Sequence, residues 1–281
     1  MKNKRNCFCL FLLILFCLDC MGCSGLNAEV GEVETTTDIS VEENSEYYEI
    51  TDIDQNENAV NAEVIDLEQC GTSLVIDRAG DYMLEGKNPD CNIIVNVYSD
   101  ENVHLFLNNV ELHSAEGPVI LVQRANKVVM TAIEGTENTI SDGTEYTSEC
   151  EACIFSYSDL TLNGKGKISV YGYYHDAVRT KDRLKVINAD VYVKAKNDAF
   201  RANEEVVVYE SKVELESEGA GIYVKDKTGS VHIQGGECKV IAGKNAIYAP
   251  MSVYIEGCEQ DLYAVQESVR SDGTIQIEDK S

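Results

Sequence analysis

The 281-residue sequence contains no Trp, only 3 Pro and 4 His, and 23 Lys and Arg against 49 Asp and Glu. Without Trp there is no indole platform of the kind that suits crystalline cellulose, although soluble glycans remain open. The few His lie away from any Cys pair at ligand spacing, which leaves no zinc site. A formal net charge of −26 opposes a phosphate backbone, so nucleic acid is excluded as a natural partner. Apolar runs are short as well. The longest near the N-terminus, Cys7 to Leu18, falls well below the roughly 20 residues that span a bilayer.

That short run follows Lys2, Lys4 and Arg5 and stops at Asp19, the pattern of an export signal over residues 1–23. Gly22-Cys23-Ser24 resembles the site at which bacterial lipoproteins are cleaved and acylated, with Cys20 where that pattern prefers Leu. The sequence therefore predicts an extracellular lipoprotein anchored through Cys23; ordinary cleaved secretion is the alternative. Residues 24–68 contain no Lys or Arg, and Asn27 to Glu68 holds 14 Asp and Glu. Self-repulsion and low hydrophobicity predict an extended acidic linker there, with the domain starting at residue 69.

Five of the eleven cysteines lie in the signal segment, leaving Cys70, Cys91, Cys150, Cys153, Cys238 and Cys258. Outside the cell these can pair, Cys238 with Cys258 being about one repeat apart, or stay as buried thiols.

From Ala152 onward the chain repeats itself. Ala152, Asp176, Asp198, Ala220 and Asn245 occupy one column at spacings of 24, 22, 22 and 25 residues, a solenoid period. Two positions later the residue is always apolar: Ile154, Val178, Phe200, Ile222 and Ile247. Two further alternating pairs follow in each repeat, such as Leu184/Val186 and Val191/Val193. Three short strands per repeat, each with alternate residues inward, describe a rung of a right-handed parallel β-helix of about 22–25 residues per rung. Helical periodicity is missing, and the strand rhythm extends upstream to about residue 70, with an insertion around Glu134 to Glu151. A monomer is expected.

Residues 22 apart fall on neighbouring rungs, which stacks Asp176 on Asp198 at about 4.8 Å. Two carboxylates at that distance repel by about 3.5 kcal/mol at an effective dielectric near 20. One carboxyl must be protonated, a cation such as calcium must bridge them, or arginine must neutralise them. Asp182 and Glu204 repeat the pairing, and Asn197 adds a neutral carbonyl. One step beyond the apolar column, the outward residues read Ile120, Phe155, Arg179, Arg201, Tyr223 and Tyr248. Guanidinium forks match carboxylates and Tyr faces match sugar rings, so Arg179, Arg201, Tyr223, Tyr248 and Lys181 are candidate contacts for an acidic polysaccharide. The plainer alternative is that the arginines only neutralise the aspartates.

The segments "RAGDYMLEG", "EGTENTISDG", "IFSYSDLTLNGKGKISVYGYYHDAVRTKDRLKV" and "NDAFRANEEVVV" resemble the extracellular carbohydrate-binding β-helix domains of clostridial and related bacteria, relatives of pectate lyases. The resemblance implies a non-catalytic domain that binds acidic plant polysaccharide such as polygalacturonate and carries calcium. Departures from the pattern, Asp-Ala-Val at 176–178, Asp-Ala-Phe at 198–200 and Ala220, imply fewer calcium sites. Two other classes remain: a structural or adhesive surface protein, and a calcium-dependent lyase with Lys181, Lys194 or Lys196 as base.

Overall fold

The computed structural model describes residues 48–278 except 99 and 147. The signal segment and Cys23 lie outside these residues. Every strand pairing among the described residues is parallel, in a right-handed solenoid of about 9 turns. A nine-stranded sheet takes one strand from each turn, from Ser73–Ile76 to Val269–Ser271. A sixteen-stranded sheet supplies the other two sides, as two limbs. They meet at the long strand Val103–Ser114, whose first half pairs with Lys127–Ala132 and whose second half pairs with Glu137–Asp142.

The alternation read from the sequence sets the core. Val178 pairs with Ile154 and Phe200, and Phe200 with Ile222, all at 0% exposure. In one limb Leu184 and Val186 stack between Leu160/Leu162 and Val206/Val208. In the other, Val191 and Val193 stack between Ile168/Val170 and Val213/Leu215. Each turn alone could not bury its apolar edge; stacking makes one continuous core. Corners need left-handed backbone at Gly164 and at the consecutive Gly235 and Gly236.

The structure differs from the sequence reading at two places. Ile120 pairs with Ile93 and Ile154 and is inward at 0% exposure, so Leu121 takes the outward position beside Phe155. The insertion between the repeats hid that one-residue offset, which swaps faces. The acidic stretch predicted to be solvated through residue 68 is structured from Tyr48 onward. It contains the 3-10 helix Asp52–Gln55 and the strand Glu63–Asp66, which pairs with Tyr82 to Glu85. Asp54 finds lysines on the solenoid, so local charge repulsion does not decide its fate.

The outer surface of the limb containing Lys167–Gly172 is a self-neutralising ladder. Glu137, Lys167, Asp190, Lys212 and Glu237 pair in alternating sign, and Lys239 bonds Glu214 at 2.8 Å. Cross-strand charge pairs of this kind describe a solvated face.

Candidate functional site

The nine-stranded sheet carries a different outward column. Leu121, Phe155, Arg179, Arg201, Tyr223, Tyr248 and Arg270 are in successive register. Parallel pairing puts equivalent side chains on one line, and their chemistry then determines how they stack. The Arg179 guanidinium lies 5.5 Å from the Phe155 ring centroid, and Arg201 lies 4.7 Å from that of Tyr223. Tyr223 and Tyr248 follow with ring centroids 5.2 Å apart, and Arg270 stands 5.7 Å from Tyr248. The Tyr248 hydroxyl donates to Asp272 at 3.2 Å.

Beneath the arginines lies a buried acidic layer. Asp176 Oδ1 accepts from the Asn197 side chain at 2.7 Å and from the Asp198 backbone N–H at 3.1 Å, with His175 Nδ1 also at 3.1 Å. Its Oδ2 faces Arg179 at 3.5 Å and Arg201 at 3.9 Å. Asp198 accepts from Arg201 at 2.8 Å and from the Ala220 N–H at 2.8 Å. The predicted Asp176/Asp198 stack therefore exists, and Arg201 reaches both members. Burial opposes ionisation of Asp176, but His175, Asn197 and the charge of Arg201 hold its carboxyl below the usual range. Burial and the charge of Asp176 push Asp198 upward. One acid of the stack is secured as the anion at the expense of the other.

This arrangement does not fit the calcium expected at Asp176, Asp198 and Asn197. The carboxylates face guanidinium groups, imidazole and N–H donors, and the Asn197 side chain contributes its amide N–H. A calcium ion needs converging oxygens. Asp182 and Glu204 do not offer a second cage, because Arg183 stands 3.2 Å from Glu204 and 3.6 Å from Asp159. Burial, with Asp159 and Glu204 nearby, pushes the Asp182 carboxyl up. Among the described residues no group of three or more His, Cys, Asp or Glu is placed to hold a metal ion. Cys70, Cys91, Cys150, Cys153 and Cys238 are free thiols, and Cys91, Cys153, Cys238 and Cys258 are buried.

Lys181 lies beside the column, 5.6 Å from the Phe155 ring centroid. Burial and the neighbouring charges of Arg179, Lys225 and Arg201 lower its pKa. The result is a concentration of cations on a strongly acidic protein. Arg179 and Arg201 keep only 13% and 20% of their side-chain surface exposed, so each presents an edge of a guanidinium already oriented from below. Five of the expected contacts, Arg179, Arg201, Tyr223, Tyr248 and Lys181, thus come together on one face. Arg270 and Lys225 were missed. Arg270 is 22 residues after Tyr248 and Lys225 is 44 after Lys181, so extending the same period would have found both.

A solved structure of a polysaccharide lyase-like protein from C. thermocellum, a gadolinium derivative, superposes with a TM-score of 0.74 at 24% identity, over 78% of this chain and 98% of the other. That likeness concerns the fold. A carbohydrate-binding domain-containing protein of Acetivibrio thermocellus is 27% identical over 126 residues, 43% of this chain and 44% of the relative. The matched stretch thus spans less than half of that curated relative's length. Residues 70–281 match the family described as carbohydrate-binding domain-containing protein, and the chain belongs to that family.

Proposed function

We propose that this chain is a non-catalytic, cell-surface lipoprotein, anchored through Cys23, whose solenoid binds acidic polysaccharide of the pectin or polygalacturonate kind. The observation that carries the reading is the outward line Arg179, Arg201, Tyr223, Tyr248, Arg270, with Lys181 and Lys225 alongside. An extended glycan meets guanidinium edges that match uronate carboxylates and tyrosine faces that match the apolar sides of sugar rings. Long-range electrostatics disfavour this partner, because the protein is acidic overall. Recognition is therefore short-ranged and depends on the local cations. The arginines replace the bridging metal at the Asp176/Asp198 stack, so binding does not require calcium there.

The column also suits this role because Asp176 and Asp198 restrain the arginines before any ligand arrives, which lowers the ordering cost of binding. The test is a pull-down with the full chain against polygalacturonate, alginate, xylan and cellulose, each with calcium or with chelator. Retention on the uronate polymers in chelator supports the reading. Retention on none of the four favours a structural or adhesive surface protein. Release of unsaturated sugar ends from a retained polymer identifies a lyase, and Lys181 is then the base to replace.

A further inference from the structure

The limb that contains Lys127–Ala132 has an outward column that is not solvated. Val129, Thr161, Lys185, Val207 and His232 all point away from the solenoid core, yet they are 0–6% exposed. Part of their cover is the segment Tyr48 to Glu57, which runs across the strands against the direction of the rungs. The Tyr48 hydroxyl donates to Gln234, and its ring lies 5.3 Å from His232. Further along, Lys185 Nζ donates to the Glu49 carbonyl at 2.5 Å. The segment ends near Lys165, which stands 3.8 Å from Glu57.

At the centre sits Asp54, with no exposed surface. Its Oδ1 accepts from Lys127 at 2.8 Å and from Thr161 at 2.6 Å, and its Oδ2 accepts from Lys185 at 3.0 Å. Asn163 donates to its carbonyl at 2.8 Å. Thr51 closes the local turn by donating its hydroxyl and its backbone N–H to the same carboxylate, at 2.8 and 3.0 Å. Burial opposes ionisation of Asp54, but the bonds from Lys127, Thr161 and Thr51 outweigh it and hold the carboxyl far below the usual range. Three different rungs thus converge on one side chain. Glu205 also feels the charge of Lys185.

We propose that residues 48–57 are an obligatory clasp of the solenoid, seated in a flank groove built to receive one carboxylate, and that Asp54 is the residue that fixes its seat. An inert tail would leave Lys127 and Lys185 in water. Here both are less than a tenth exposed, and a buried ammonium left without its counter-charge is strongly destabilising. The clasp precedes residue 70, where the family match begins, so the folding unit is longer than the matched region. It lies on a different sheet from the arginine and tyrosine column, which it leaves uncovered. The inference is independent of which glycan, if any, that column takes.

The full chain tests it in three forms: wild type, Asp54→Ala, and Asp54→Ala combined with Lys127→Met and Lys185→Met. Asp54→Ala is expected to lower the thermal midpoint by about 10 °C. It should also abolish amide-exchange protection at Asp54 and Asn56, whose N–H groups close the clasp's own turn. The triple variant should regain at least half of the lost midpoint and recover exchange protection in residues 48–57, because the segment can then reseat on the methionines with no unpaired ammonium beneath it. A wild-type midpoint in Asp54→Ala overturns the clasp, whether or not the segment is released. A triple variant no more stable than Asp54→Ala, or one that fails to fold, overturns the assignment of Asp54 as the partner the lysines require.

Discussion

Replacing Arg201 with Ala is expected to destabilise the protein in a way that depends on pH. Arg201 is the only side chain hydrogen-bonded to Asp198 among the described residues, at 2.8 Å, and Asp198 has 4% of its side-chain surface exposed. Removing the guanidinium leaves that carboxylate with the Ala220 N–H alone, and it leaves Asp176 facing Arg179 without its second cation. Breaking a fully buried pair costs about 3–5 kcal/mol, and because Arg201 is one-fifth exposed a loss of about 2–3 kcal/mol is expected near neutral pH. That corresponds to a fall in thermal midpoint of about 4–12 °C for a domain of this size. The carboxyl of Asp198 is already raised by burial and by Asp176, and losing Arg201 raises it further. A raised folded-state pKa favours the fold below the unfolded value and loses that contribution as pH rises through the folded value. The deficit of Arg201→Ala should therefore shrink toward pH 4 and grow toward pH 7, as thermal unfolding across that range would show. Adding Asp198→Asn should remove most of the pH dependence. A deficit below about 0.5 kcal/mol, or one independent of pH, would refute the claim that Arg201 neutralises the stack.

Two other positions give separate tests. Burial pushes the Asp142 carboxyl up to about 6 despite bonds from the Tyr173 N–H and the Tyr146 hydroxyl. Wild-type stability should thus decline as pH rises from about 4 past 6, and Asp142→Asn should flatten that decline in unfolding measurements; an identical profile would contradict it. Gly236 has φ +69°, and a Cβ there would lie 2.1 Å from the Ser211 carbonyl oxygen. Gly236→Ala should cost about 2 kcal/mol or more in denaturant unfolding, and a neutral result would show that the corner can shift.

Much of the solenoid was legible because stacking reads the chain one column at a time. A period near 22 residues and a two-residue alternation fix both the rung and the inward set, as with Val178 over Ile154. The Asp176/Asp198 stack was legible for the same reason. What neutralises it was not, because the reach of Arg201 to both acids depends on side-chain direction within a rung. Ile120 was placed outward in error because the insertion after Glu134 interrupts the count, and an offset of one reverses the face. The clasp was invisible for a different reason. Asp54 lies in a sequence that looks like solvated linker, and the lysines that receive it are 73 and 131 residues away.

In the proposed function the arginine and tyrosine column, rather than a calcium ion, grips an acidic polysaccharide. Titration calorimetry of polygalacturonate into the full chain, in chelator, compares wild type with Tyr248→Ala/Arg270→Ala, a pair at the outer end of the column away from the buried acids. Wild type is expected to bind in chelator. The double variant should bind about 10- to 100-fold more weakly, matching the loss of one ring contact and one charge-assisted bond, with an unchanged thermal midpoint. Wild-type binding that appears only with calcium, or a double variant that binds at full strength, would contradict the account.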